Sequence, residues 1–172
     1  MSRETACCFS GHRPHKFHFG YDEKHRDCMN VKLRLSLLIN EMYRDRVQTF
    51  YTGMAEGVDL WAADYVCELK AQTPFIRLVA VIPYEGQPSR FTKPYQALYE
   101  RVRALADEEV VLHESYRPGC MQERNRYMVD HASRLIAVYN GTKGGTHQTV
   151  CYAKEQGLEI ITVDPREPLK GL

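Results

Sequence analysis

The sequence predicts an α/β fold, a Rossmann-like three-layer α/β/α sandwich built on a mostly parallel sheet. Three observations predict it. Six short apolar runs alternate with longer stretches of helical periodicity along the whole chain. The short runs are near-continuous rather than alternating, as in strands covered on both faces. Most of them end in a glycine-containing turn, where such folds place their ligand loops.

The runs come in order. Thr5–Phe9 ends at Ser10-Gly11, and Val47–Tyr51 ends at Thr52-Gly53. Ile76–Ile82 stops at Pro83, and Val110–Leu112 is a short fourth. Leu135–Tyr139 ends at Asn140-Gly141, and Ile160–Val163 ends at Asp164-Pro165. Between them lie helical stripes. Leu33, Leu37, Leu38 and Met42 form the first, and Val58, Ala62, Tyr65, Val66 and Leu69 the second. Tyr95, Leu98, Tyr99, Val102 and Leu105 form the third. Met121, Asn125, Met128, Val129 and Ala132 form the fourth, and Val150 and Ala153 belong to a shorter fifth that stops at Gly157. All five stripes are expected to face the core, with Asn125 turned inward to fix a loop. The tail after Asp164 is expected to be loose.

A length of 172 residues suits one domain, 1–172, with one sizeable core. The 44% hydrophobic and 26% charged content is that of an ordinary globular chain. With 23 basic and 22 acidic residues the net charge is +1. That balance argues against a dedicated nucleic-acid binder, which would carry a basic excess. It leaves room for a local anion pocket, which needs only a few donors. No run is long enough to cross a membrane and the start lacks a signal-peptide pattern, so a cytoplasmic location is expected. The six cysteines include no C-x-x-C pair and are expected to be thiols.

The chemistry is expected in the loops after the strands. Ser10, Gly11, His12 and Arg13 follow the first. Gly53, Met54, Ala55, Glu56, Gly57 and Asp59 follow the second, Glu85 the third, and Gly144, Gly145 and Thr146 the fifth. Glycine lets another group approach the backbone closely. A helix N-terminus offers free N–H groups and a partial positive charge. Together these predict a phosphate site. Arg13 is placed to clamp a phosphate, and Arg124 and Asn125 open the fourth helix nearby. Asp59 either complements its helix dipole or accepts hydrogen bonds from a ribose. Catalytic options are thin. Glu56, Asp59, Glu85 and Glu123 are the available acids or bases, and no G-x-S-x-G, H-E-x-x-H, P-loop or G-x-G-x-x-G pattern occurs. His12, His15, His18, His25 and Cys28 match no strong zinc signature, and no metal is expected. That segment instead reads as a loop covering the ligand, with Phe17, Phe19 and Tyr21 against a base or ribose.

Four segments carry a resemblance: Ser10-Gly11-His12-Arg13-Pro14, T-G-M-A-E-G-V-D-L-W-A-A from Thr52 to Ala63, R-N-R-Y-M-V-D from Arg124 to Asp130, and Gly144-Gly145-Thr146. Together they resemble the YpsA-like branch of the SLOG superfamily, which also holds the DNA-processing protein DprA and the LOG phosphoribohydrolases. The second segment is similar to DprA's S-G-x-A-x-G-I-D-x-x-A-H. The resemblance implies a Rossmann-like fold with a pocket at the strand C-termini. It implies a nucleotide or nucleotide-sugar ligand of the ADP-ribose, NAD or AMP kind, and it is compatible with a homodimer. The glutamate of the LOG pattern P-G-G-x-G-T-x-x-E is missing from Gly144-Gly145-Thr146-His147-Gln148-Thr149, which removes a residue used in N-glycosidic cleavage. The leading expectation is therefore a ligand sensor or regulatory module. The alternatives are a LOG-like hydrolase and a DprA-like single-stranded DNA binder built on Arg13, Lys16, Arg124 and Arg126.

Overall fold

The computed structural model describes residues 2–168. All six predicted strands form: β1 (Ala6–Gly11), β2 (Thr49–Thr52), β3 (Arg77–Ile82), β4 (Glu108–Val111), β5 (Arg134–Val138) and β6 (Glu159–Val163). They make one sheet in the order β4-β3-β2-β1-β5-β6, and every neighbouring pair is parallel. Five helices connect them: α1 (Arg26–Arg44), α2 (Val58–Gln72), α3 (Lys93–Leu105), α4 (Cys120–Asp130) and α5 (Gly145–Glu155).

The order follows from the connections. The chain steps outward from β1 to β4 through α1, α2 and α3, then returns to lay β5 against the free side of β1. Right-handed crossovers place the first three helices on one face and α4 and α5 on the other. The core is accordingly double. On one face Val31, Leu35, Trp61, Ala62 and Tyr99 pack over Phe9 and Phe50. On the other, Met128, Val129, Val150 and Ala153 pack over Cys8, Val79 and Leu135. Central strands are covered on both sides, as their continuous apolar runs demand, whereas β4 and β6 at the edges are half exposed. Loops leaving β1 and β5 diverge to opposite faces, and that divergence opens a crevice at their C-terminal ends.

Two stripes differ from expectation. In α1 the buried residues are Cys28, Val31, Leu35, Ile39 and Met42, while Leu33 and Leu37 are 41% and 44% exposed. Both sets recur at helical spacing, and the one that faces α2 is decided by where the helix meets the sheet. In α3 Leu105 ends exposed, past the last turn that packs. The start of the tail is also held rather than loose. The Arg34 guanidinium donates to the carbonyls of Asp164 (2.9 Å) and Glu167 (3.3 Å), and Pro165 is buried. Residues 169–172 lie outside the described part.

All six cysteines are free thiols, and only Cys151 is exposed. Burial pushes the thiol of Cys7 up to about 12 and those of Cys28 and Cys67 up to about 11. Thiolate is the reactive form. Titration of the native protein with a disulfide reagent at pH 8 should therefore show one fast group, lost in Cys151→Ser, with the rest appearing on denaturation. A second fast thiol in the native state would contradict the packing of the central strands.

Candidate functional site

A cleft of about 300 Å³ opens where β1 and β5 part. Ser10, Gly11, His12 and Arg13 enter it from the end of β1, followed by His15 and Lys16. Ala55 and Asp59 come from the β2–α2 turn, Met121, Arg124 and Asn125 from α4, and Gly145 and Thr146 from the start of α5. Most of the sequence-predicted residues thus meet at one place. Gly53, Met54, Glu56, Gly57, Glu85 and Gly144 are not among its walls.

Gly53 and Gly57 have a different reason from the one expected. A Cβ on Gly53 would sit 2.7 Å from both Arg124 Cδ and Asp59 Oδ2, and one on Gly57 would sit 3.0 Å from Pro14 Cδ. Gly57 also adopts φ +86°, a conformation that disfavours any side chain. The close approaches are made by the protein itself, not left open for a ligand. Met54 is fully buried at φ +60° and belongs to the core. The start of α2, which has no side-chain cap either, is packed against Pro14 at Gly57, and of its first turn Asp59 alone reaches the cleft. The start of α5 is different: Gly144 precedes it, no side chain caps it, and its first residues line the cleft. The unmet N–H groups of that turn give the cleft its positive end.

Arg124 organises the floor. It is only 5% exposed, its Nη1 donates to the Gly53 carbonyl, and its Nε donates to Asn125 Oδ1 at 2.9 Å. Asp59 Oδ2 accepts the Ala55 N–H at 3.3 Å, and Thr52 Oγ1 donates to the Asp59 carbonyl at 3.0 Å. Burial is the larger influence on both charges, raising the Asp59 carboxyl and lowering the Arg124 guanidinium, and each partly offsets the other. The inward residue of α4 is thus Arg124, not Asn125, and Arg124 is not a surface cation. Arginine carries no apolar signal, so periodicity could not single it out.

His12 is buried at the mouth of β1, and its Nε2 lies 3.2 Å from Asn140 Oδ1. That oxygen also accepts from the Thr142 N–H and hydroxyl, so the amide oxygen faces His12 and Nε2 carries the proton. Burial lowers the His12 pKa, with Lys16 adding to it and Asn140 opposing, so the ring is neutral at pH 7.

The carboxylates divide sharply. Glu56 is committed on both oxygens, accepting the Tyr21 hydroxyl (2.9 Å) and the Thr92 N–H (3.0 Å). Glu85 takes a two-pronged contact from Arg103, with both bonds at 3.0 Å, outside the cleft. Glu123 pairs with His113 on the surface. Of the four, Asp59 alone lines this cleft, where its Oδ2 accepts the Ala55 N–H, and Glu56 lines the adjoining one.

The histidine-rich segment also departs from expectation. Phe17 and Phe19 are buried and stacked with centroids 4.8 Å apart, and Phe17 stacks on Trp61. They anchor the segment to α2 and do not face the cleft. His18 Nε2 lies 2.7 Å from Asp27, and His25 Nδ1 caps α1 by accepting the Asp27 N–H at 3.1 Å. These three residues bring their ligand atoms within 4.8 Å of one another.

A second cleft of about 500 Å³ adjoins the first, and Arg13 and Met121 line both. Its walls include Tyr84, Gln87, Arg90, Phe91 and Tyr116. Tyr84 and Tyr116 stand nearly perpendicular with centroids 5.5 Å apart. Of the loop after β3, Glu85 was the expected site residue, whereas Tyr84 and Gln87 are the ones that line the cleft.

Fold and cleft together define the class: a Rossmann-like α/β domain with a polar crevice at the sheet's switch point. The chain belongs to the YpsA family of SLOG proteins, whose family model, described as the YspA SLOG family, matches residues 7–165. It is 30% identical over 148 residues to the uncharacterized SPbeta prophage-derived protein YoqJ of Bacillus subtilis, a match covering 78% of this chain and 86% of YoqJ. It is also 30% identical over 105 residues to YpsA of the same organism, covering 60% of this chain and 58% of YpsA. Among solved structures it resembles DNA processing protein A (DprA) of Streptococcus pneumoniae, with a TM-score of 0.59 at 20% identity over 91% of this chain and 49% of DprA. It resembles DprA of Helicobacter pylori, whose structure describes a single-stranded DNA binding mode, with a TM-score of 0.60 at 16% identity over 94% of this chain and 65% of that one. The chain spans less than two thirds of YpsA and of both DprA chains, and at these identities the DprA likeness establishes the fold alone. Among the described residues no helix is long and apolar enough to cross a membrane.

Proposed function

We propose that the cleft binds a nucleotide or nucleotide sugar of the AMP, ADP-ribose or NAD kind, and that the protein is a cytoplasmic sensor or regulatory module. One observation carries this reading. The uncapped start of α5 and the cations Arg13 and Lys16 converge on one crevice at the switch point, over a floor whose own charges, Arg124 and Asp59, offset each other. A phosphate entering there meets donors on several sides and no free carboxylate. The engagement of both Glu56 oxygens, and of Glu85 and Glu123 by Arg103 and His113, favours binding over hydrolysis.

Thermal denaturation against AMP, ADP-ribose, NAD and cyclic nucleotides tests it. A ligand at about a hundred times its Kd should stabilise by about 2.7 kcal/mol. Chromatography of the recovered ligand should show it intact. No shift with any of the panel sinks the reading, and free base released in proportion to protein replaces it with hydrolysis.

Binding of single-stranded DNA is a second reading, despite the near-neutral charge of the whole chain. Arg90 and Arg126 are exposed on the walls of clefts flanking the central one, to which Arg13 and Lys16 contribute. The described binding mode of the Helicobacter DprA keeps this reading open. A phosphate-tracking surface would give a gel shift that weakens steeply with salt. Absence of a shift at moderate salt removes it.

A further inference from the structure

The adjoining cleft holds a buried acceptor with no donor. Gln87 is 2% exposed, and its Nε2 donates to the Gly53 carbonyl at 3.0 Å. The same carbonyl accepts from Arg124 Nη1. Facing a carbonyl, the amide must present its nitrogen, so its orientation is set and Oε1 turns the other way. Oε1 is buried and meets no hydrogen-bond partner among the described residues. A buried amide oxygen left unmade is costly, and in native proteins such a group calls for an explanation.

Three neighbours supply one. Gln87 lines the cleft beside the perpendicular rings of Tyr84 and Tyr116. Tyr116 is 62% exposed and keeps its place by the edge contact with Tyr84. Arg13 stands at the boundary with the anion cleft, and its Nη2 reaches Met121 Sδ at 3.9 Å. One compartment therefore offers the cations Arg13 and Lys16, and the next, beside Arg90 and the engaged carboxylate of Glu56, offers ring faces and the unmet acceptor of Gln87.

We propose that the tyrosine-lined cleft is a nucleobase subsite, in which Gln87 Oε1 accepts an N–H from the edge of the base and Tyr84 and Tyr116 form its aromatic wall. The inference rests on the anion reading of the neighbouring cleft and goes beyond it by assigning the other half of the ligand. Arg13 then marks the junction between phosphate and base. The acceptor at Gln87 selects a base edge that carries a donor, such as an exocyclic amine, over one that carries only acceptors. Stacking on tyrosine discriminates little among bases, so the selectivity falls to the amide.

Calorimetric titration of the full chain with four probes tests this: AMP, purine riboside 5′-monophosphate, ribose 5-phosphate and inorganic pyrophosphate. Purine riboside monophosphate keeps the ring and phosphate of AMP but lacks the amine. The expected order is AMP tighter than purine riboside monophosphate, and the latter tighter than ribose 5-phosphate. Tyr116→Ala, at an exposed position, should weaken AMP roughly tenfold and leave ribose 5-phosphate and pyrophosphate unchanged. Gln87→Glu retains an acceptor but loses the donor to Gly53, so it is to be read only beside its melting curve. If ribose 5-phosphate binds as well as AMP and Tyr116→Ala alters neither, the base subsite is refuted while the anion cleft stands. Equal affinity for AMP and its amine-free analogue refutes the role of Gln87. If none of the four probes binds, the anion reading and the subsite fall together.

Discussion

Arg124→Met is expected to lower stability by about 3–5 kcal/mol, the usual cost of leaving a buried charge without its counterpart. Two effects combine. Asp59 would remain buried with its neutralising cation gone, and the Gly53 carbonyl would lose one of its two donors. For a chain of this size the loss corresponds to a fall in melting temperature on the order of 10 °C. The pH dependence identifies the cause. Asp59 has a folded pKa already raised above its unfolded value, chiefly by burial, and loss of Arg124 raises it further. Below the unfolded value both states hold the proton and the penalty is absent. It grows as pH rises through the window between the unfolded and folded values, and it is complete only above the folded one. The deficit of Arg124→Met should therefore shrink on acidification, and adding Asp59→Asn should recover part of it at pH 7. A variant that melts like wild type at pH 7, or a deficit that is flat with pH, would show that the two charges are not coupled.

Gly11→Ala is the second large effect. A Cβ there would lie 2.4, 2.6 and 2.8 Å from Cγ2, Cβ and Cγ1 of Val58, the first residue of α2. Rotating Val58 gives no relief, because its own Cβ is among the colliding atoms. The helix must shift, and overpacking of this kind costs about 1–3 kcal/mol or more. Since α2 carries Asp59, the shift also disturbs the floor of the cleft, so any ligand-induced stabilisation should fall with it. Gly145→Ala is the control: a Cβ there meets nothing within 4 Å. Its stability should stay within about 0.5 kcal/mol of wild type. Equal melting temperatures for Gly11→Ala and Gly145→Ala would contradict the packing of α2 on β1.

How much of this was legible beforehand varies with the kind of residue. β1, β3 and β5 were plain because a strand covered on both faces has to be apolar at nearly every position. The site was legible as a place, since Gly11, Gly145 and Thr146 end or begin elements at the same sheet edge. The roles of Gly53 and Gly57 were not, because a glycine shows only that something comes close. Here it is Arg124, Asp59 and Pro14 from distant segments. Leu33 and Leu37 shared their spacing with Val31 and Leu35, and spacing alone could not choose between the two faces of α1.

By itself, then, the order of apolar runs and turn glycines determined a parallel sheet with its polar loops at one rim, since right-handed crossovers leave few other arrangements. Tertiary structure alone decided that Arg124 lies under Gly53, that Glu56 and Glu85 are engaged by other side chains, and that Gln87, with an unmet oxygen, lines one cleft with two tyrosines. The physical reason is the range of the forces. Backbone propensity and hydrophobic period act over a few residues and are written locally. A hydrogen bond or a buried charge is settled by whichever group the fold carries to within about 3 Å, from anywhere in the chain.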